Sequence, residues 1–193
     1  MSENWDEYAE GWNENPDVIA YSKQAYESLL NVKDITDLSV LDFGCGTGLL
    51  TEKIATDAES VIAIDPSKKM TQVLLNKNIK NVSVINAEVS APFIADHPNL
   101  KASFDVIVAS SVCAFLPNFS ETLNHLIALL KPGGIFVQWD WAPSKSEPDF
   151  GFSPTVLKKL YNKANLLVLK AENVFSMSDE PGQMQVVMGV GKR

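Results

Sequence analysis

Short apolar runs alternate with helix-spaced ones from residue 40 to about residue 141, which predicts a parallel sheet with helices on both faces. Residues 40–43 read as the first strand, and a glycine-rich loop then opens a helix over 49–58. Residues 61–64 form a second strand, apolar throughout, as expected where both faces are buried. Ser67 stands at the N-cap of a helix reaching about residue 75. A third strand follows at 82–85 and a fourth at 104–110. Ser120 is read as the cap of a helix ending near residue 130, Lys131-Pro132-Gly133-Gly134 as a turn, and 135–139 as the fifth strand.

Beyond residue 141 the pattern changes. A polar loop carrying Pro143 and Pro148 leads to Ser153-Pro154, the cap and first-turn proline of a helix to about Asn165. Two β-rich runs, 167–175 and 184–190, flank the turn-forming residues 178–182; so short a link implies an antiparallel hairpin at one sheet edge. Ahead of the sheet, Trp5, Tyr8 and Trp12 recur at i, i+3 and i+7 and predict one aromatic helical stripe. Asn15-Pro16 starts a second helix whose apolar side is Val18, Tyr21, Ala25 and Leu29. The whole is an α/β fold, read as one domain of 193 residues.

Charge narrows the partners. With 16 basic and 24 acidic residues the net charge is −8, and the only arginine is Arg193. Nucleic-acid binding needs a basic footprint, so no nucleic-acid partner is expected. The N-terminal stretch carries Glu3, Asp6, Glu7, Glu10, Glu14 and Asp17 with no basic residue, the opposite of a signal peptide. No apolar stretch approaches the roughly 18–20 residues a membrane span requires. A soluble, cytoplasmic protein, monomer or homodimer, is the expectation. Cys45 and Cys113 sit in apolar runs and read as buried thiols, His125 as a half-buried helix residue and His97 as loop. No spacing suggests a metal site.

The chemistry concentrates in Val40-Leu41-Asp42-Phe43-Gly44-Cys45-Gly46-Thr47-Gly48. Alternate glycines let the chain turn tightly and bring a ligand against main-chain N–H groups, ahead of the positive end of a helix. Asp42 falls near the strand's C-terminal tip, where open α/β sheets bind ligands; a carboxylate there suits a cationic ligand and opposes a pyrophosphate. A dinucleotide fingerprint has two residues before its third glycine, and this loop has one. Asp65 ends the second strand, 17 residues after Gly48, placed to accept the hydroxyls of a ribose.

These residues resemble the first motif of the class I S-adenosylmethionine-dependent methyltransferase superfamily, above all its small type 11 and type 12 members. Asp65-Pro66-Ser67-Lys68-Lys69-Met70 is similar to the family's D-x-S-x-x-M continuation, and Asn86-Ala87-Glu88 to its D-A-E segment, with asparagine where aspartate is usual. Lys131-Pro132-Gly133-Gly134 resembles the turn before its fifth strand. The resemblance implies a Rossmann-like, doubly wound, mostly parallel seven-stranded sheet. It divides the chain into an N-terminal helical lid (1–36), a cofactor-binding core (37–141) and a substrate-side loop, helix and hairpin (142–193).

By the same resemblance, Gly44, Cys45 and Gly46 line the methionine part of S-adenosylmethionine, and Asp42 holds its ammonium end. Asp65 takes the ribose diol, with Pro66 and Met70 beside it. Asn86, the Ala87 N–H and Glu88 meet the adenine, Ser110 lines the methionine end, and Trp12 and Tyr21 fold over the cofactor. Tyr8, Asp140 and Trp141 are candidate acceptor contacts; Asp140 and Trp141 read equally well as packing at the sheet edge. The implied reaction is in-line methyl transfer to a small molecule, yielding S-adenosylhomocysteine, with no residue identified as a base. A cofactor-binding protein without transfer activity is the alternative. A nicotinamide-dependent oxidoreductase is a further one, opposed by the glycine spacing and by Asp42.

Overall fold

The computed structural model describes residues 4–144, 147–178 and 184–193. Helix α1 (Pro16–Leu30) begins on a proline whose missing N–H costs nothing in a first turn, and the Asn15 side chain accepts from the Asp17 N–H at 2.9 Å. Its Tyr21, Ala25 and Leu29 are buried along one side. Then come β1 (Ser39–Phe43), α2 (Leu49–Ile54), β2 (Ser60–Asp65), α3 (Lys68–Asn76), β3 (Val82–Asn86), α4 (Ala91–Asp96) and β4 (Phe104–Ser110). They are followed by α5 (Phe119–Leu129), β5 (Leu130–Trp141), α6 (Pro154–Lys163), β6 (Leu167–Ser176) and β7 (Gln185–Lys192).

One seven-stranded sheet results, in the order β3-β2-β1-β4-β5-β7-β6. β1 to β5 pair in parallel, while β7 lies antiparallel between β5 and β6. The chain winds outward from β1 to β3, then crosses back to lay β4 on β1's other side. The carboxyl ends of β1 and β4 therefore open a crevice, the switch point where this architecture receives ligands. Alternation along the strands splits the core in two. Val106 and Val108 pack with Tyr21, Ala25, Leu29 and Ile54 on one face. Ile107 and Ala109 pack with Phe93, Leu123, Leu126 and Tyr161 on the other.

Four local expectations need correction. Helix α2 stops at Ile54, well short of residue 58: the Thr56 hydroxyl donates to the Lys53 carbonyl at 2.7 Å, and the Asn81 amide takes the Ala55 and Ala58 carbonyls. The cap of α5 is Asn118, whose side chain accepts from the Glu121 N–H; Ser120 lies inside the helix. Lys131–Gly134 is no separate turn, because β5 starts at Leu130 opposite Phe104, bulges, and resumes at Ile135 opposite Val106. Trp5, Tyr8 and Trp12 do not share one helix. Trp5 and Trp12 lie on two 3-10 turns, Trp5–Glu7 and Trp12–Glu14, with Tyr8 ending the first and Gly11, at φ 75°, opening the second. The hairpin strands form as expected, while the turn between them, beyond Ser178, lies outside the described residues. Among the described residues no helix is long and apolar enough to cross a membrane.

Candidate functional site

The glycine loop leaves β1 and is pinned at once to its neighbour: the Gly44 and Cys45 N–H groups donate to the Ile64 carbonyl at 2.8 and 3.2 Å. Gly44, Gly46 and Gly48 have φ of 71°, 53° and 83°, the left-handed region where a side chain is strained. A Cβ on Gly44 would overlap Val112 and one on Gly48 would overlap Leu74, whereas one on Gly46 meets nothing within 4 Å. The outer two glycines are thus required by packing, and the middle one leaves an open cradle. Helix α2 has only 6 residues, so its dipole adds little at this loop.

Two carboxylates flank the loop. Asp42 is 1% exposed, and the Thr51 hydroxyl donates to its Oδ2 at 2.6 Å. Burial raises Asp42 to about 7 against the opposing pull of that hydroxyl. Asp65, 8% exposed at the tip of β2, accepts from the Gly46 N–H at 2.9 Å and the Ser67 N–H at 2.8 Å. Burial raises it too, the two N–H groups hold it down, and the charge of Asp6 adds to the rise. Cys45 is buried as well, and burial first, then the charges of Asp42 and Asp65, push its thiol well above the usual range.

Farther along the strand tips, the Asn86 amide donates to the Asp65 and Pro66 carbonyls at 3.0 and 2.9 Å, leaving its own carbonyl oxygen as an acceptor. The Ala87 N–H, expected to face a ring nitrogen, is instead engaged with the Asp65 carbonyl at 3.2 Å. Pro66 and Glu88 are exposed, and Ser110 is half-buried at the end of β4. Met70 is buried inside α3, where its N–H meets the Ser67 hydroxyl at 3.2 Å, so it supports the loop from behind.

The N-terminal segment lies across these loops. Asp6 accepts from the Ser67 hydroxyl at 2.5 Å and the Lys69 N–H at 3.1 Å; the hydroxyl first, then the N–H, hold it below its ordinary value. Asn13 accepts from the buried Thr47 hydroxyl at 2.6 Å. Trp5 meets Phe115, in a 3-10 turn (Cys113–Phe115) just past β4, edge-on at 5.2 Å between ring centres. Trp5, Tyr8 and Trp12 remain clustered, 5.7–6.3 Å apart, despite losing the single helix. Sequence reasoning missed Asp6, Asn13, Thr47 and Phe115 as site neighbours. Only Thr47 carried a signal, its place within the glycine motif.

Of the three candidate acceptor contacts, Tyr8 is half exposed beside the loops, but Asp140 is wholly buried. Its oxygens accept from the Ala114 N–H at 3.0 Å and the Gln138 amide at 2.8 Å, and the Tyr161 hydroxyl donates to Gln138 at 2.9 Å. Burial raises Asp140 to about 7. It anchors the turn bearing Phe115 and does not face solvent. Trp141 packs on Tyr21 at 5.4 Å, and Tyr21 packs on Phe175 at the same separation, on the α1 face of the sheet. The Tyr21 hydroxyl is buried without a hydrogen-bond partner among the described residues. His97 stacks on Phe93 at 4.3 Å with its Nδ1 2.9 Å from the Phe93 carbonyl, a structural arrangement.

The donor set fits S-adenosylmethionine. The cradle at Gly46 leaves room beside the loop backbone, Asp65 offers a carboxylate at the neighbouring tip, and Asp42 lies buried behind the loop. Residues 41–136 match the methyltransferase domain family. The chain is 32% identical over 130 residues to the ubiquinone biosynthesis O-methyltransferase of Paramagnetospirillum magneticum, covering 64% of this chain and 50% of that protein. It is 34% identical over 110 residues to the malonyl-[acyl-carrier protein] O-methyltransferase of Halalkalibacterium halodurans, covering 54% and 40%. The chain thus spans half or less of these relatives' length. The crystal structure of an S-adenosylmethionine-dependent methyltransferase from Aquifex aeolicus superposes with a TM-score of 0.78 at 18% identity, covering 97% of both chains, so the fold is the same. With the domain match running from β1 to β5, across the loops that build this crevice, the chain belongs to the class I S-adenosylmethionine-dependent methyltransferase superfamily.

Proposed function

We propose that this chain transfers a methyl group from S-adenosylmethionine to a small-molecule acceptor in the cytoplasm, by in-line displacement and without a nucleic-acid partner. The observation that carries the reading is the bond from the Gly46 N–H to Asp65 at 2.9 Å, which ties the open glycine cradle to the carboxylate at the next strand tip. Asp65 receives the ribose hydroxyls, exchanging its backbone donors for them in part. The Gly44–Gly46 backbone lies against the amino-acid end, Asp42 holds its ammonium group through backbone or water, and the Asn86 carbonyl accepts from the adenine amino group. Pro66 and Glu88 border the adenine side, Ser110 the methionine side, and Trp12 and Tyr21 close the space above.

The cofactor, when bound, supplies an activated methyl group on sulfur. The chain's own work is positioning and drying: residues 1–36 cover the site, 37–141 hold the cofactor, and 142–193 border the acceptor. The net charge of −8 supports a small acceptor over a nucleic acid.

Calorimetry on the purified chain tests this. S-adenosylmethionine and S-adenosylhomocysteine should bind and NAD far more weakly; a tighter NAD complex would overturn the assignment. Asp65→Ala should weaken S-adenosylhomocysteine by roughly 10–150-fold, the loss of one charge-assisted hydrogen bond. Unchanged affinity in a folded variant would make Asp65 only a cap for α3.

A further inference from the structure

Five aromatic rings form one unbroken patch beside the crevice, drawn from three separate stretches of chain. Phe150, in the loop after β5, packs on Phe115 at 5.3 Å; Phe115 meets Trp5 at 5.2 Å; and Trp5 touches Tyr8 and Trp12 at 5.7 and 6.3 Å. None of the five is buried, and Tyr8 is 50% exposed, whereas Phe136 and Trp139 of the sheet are fully buried. A contiguous, accessible aromatic surface is uncommon on a monomer unless something binds there. This one adjoins the β4 and β5 tips, where an acceptor must approach a cofactor held at β1 and β2.

Charge on the segments that carry these rings is one-sided too, with Lys68 and Lys69 of α3 beside Asp6 at the patch's edge. The described residues 4–17, 110–121, 139–144 and 147–153 contain no lysine, arginine or histidine. They carry Asp6, Glu7, Glu10, Glu14, Glu147 and Asp149 among their acids. The sequence has one lysine in this region, Lys145, outside the described residues. An anionic acceptor would approach a field of its own sign and find no basic group on the described segments to receive it. A planar ring would gain offset or edge-on contacts with the patch, and a positive charge would also gain attraction to the ring faces.

Resting on the methyl-transfer reading above, we propose that the acceptor is a small aromatic molecule without negative charge, bound against Trp5, Tyr8, Phe115 and Phe150. The patch recognises the body of the acceptor and leaves open which heteroatom receives the methyl group.

Three probes of one shape test this on the purified chain saturated with S-adenosylhomocysteine: 2-phenylethylamine, 2-phenylethanol and 3-phenylpropanoate. Tryptophan fluorescence and calorimetry should show the amine and the alcohol binding, with the amine about 2- to 30-fold tighter than the carboxylate. Phe150→Leu, outside the segment covering the cofactor, should weaken the amine several-fold and leave S-adenosylhomocysteine affinity unchanged. Equal or tighter binding of 3-phenylpropanoate overturns the proposal, as does failure of all three while S-adenosylhomocysteine binds. Unaltered amine affinity in Phe150→Leu overturns it too. Failure of S-adenosylhomocysteine itself to bind defeats the methyl-transfer reading instead.

Discussion

Gly48 and Gly11 adopt nearly the same left-handed backbone, with φ of 83° and 75°, yet sit in opposite surroundings. A Cβ on Gly48 would drive into Leu74, a buried side chain of α3, while one on Gly11 meets nothing within 4 Å. The turn at Gly48 is clamped between a buried strand and a buried helix face. The turn at Gly11 belongs to a segment whose only buried residue among 4–15 is Ala9. That segment is held by a few side-chain bonds and ring contacts to the loops beneath it. One molecule thus contains a glycine loop fixed by its core and an N-terminal segment fixed only by what it touches. Elements of the second kind open at little cost.

The largest expected effect breaks or upholds that contrast directly. Gly48→Ala must bear both the left-handed strain and an overlap with Leu74, so it should lose about 2–4 kcal/mol. Gly11→Ala bears the strain alone and should lose about 1 kcal/mol or less, since the segment can loosen without unfolding the sheet. Urea denaturation of both variants checks this. Equal losses would mean the N-terminal segment is as much core as the glycine loop.

The same contrast explains what could be read from the chain. β1, β2 and β4 were legible because strands buried on both faces write continuous apolar runs, and Ser67, Ser153 and Asn15 sit where caps belong. Asp42, the glycines and Asp65 were legible because one short strand-loop-helix unit fixes their spacing. The aromatic stripe was legible as a cluster but not as a shape: Gly11 breaks the helix, and the rings meet through tertiary contacts. Asp6, Asn13, Phe115 and Phe150 reach the crevice from distant stretches with no local pattern to announce them. Asp140 stayed open between site and packing because its strand-tip position allows either, and only the tertiary bonds of Gln138 and the Ala114 N–H show it folded inward.

A second test uses pH. Asp42 titrates near 7 in the folded chain and near 4 when unfolded, so between those values the folded state holds the extra proton. Stability therefore falls as pH rises from about 4 to about 7, the cost of ionising a carboxylate inside the core. Asp42→Asn keeps an acceptor for Thr51 and cannot ionise. It should remove about 1–3 kcal/mol of the stability lost between pH 5 and pH 8, whatever its effect at any single pH. Thermal denaturation of both proteins at the two pH values reads this difference. Parallel profiles would show that Asp42 stays ionised throughout, exposed by a looser site than the buried strand tip suggests.

The smallest effect on stability, and the sharpest on dynamics, belongs to the covering segment. Asp6 is tied to the Ser67 hydroxyl and the Lys69 N–H through the same oxygen, and Asn13 is tied to Thr47. If the segment is a lid, as proposed, ligand exchange breaks and re-forms these bonds. Limited proteolysis should nick residues 4–15 readily in the free protein and more slowly with saturating S-adenosylhomocysteine. Deleting residues 1–14 should lower cofactor affinity and leave most of the melting temperature intact. Asp6→Ala should speed cleavage, whereas Asp6→Asn retains an oxygen acceptor for both donors and should stay near the parent rate. The asparagine variant also removes the charge that raises Asp65, so it should bind cofactor at least as well as the parent. Faster cleavage in Asp6→Asn as well as Asp6→Ala would assign the closure to charge rather than to these bonds. Equal rates with and without S-adenosylhomocysteine would mean that the segment is ordinary packing, and the two regions would then differ in burial but not in motion.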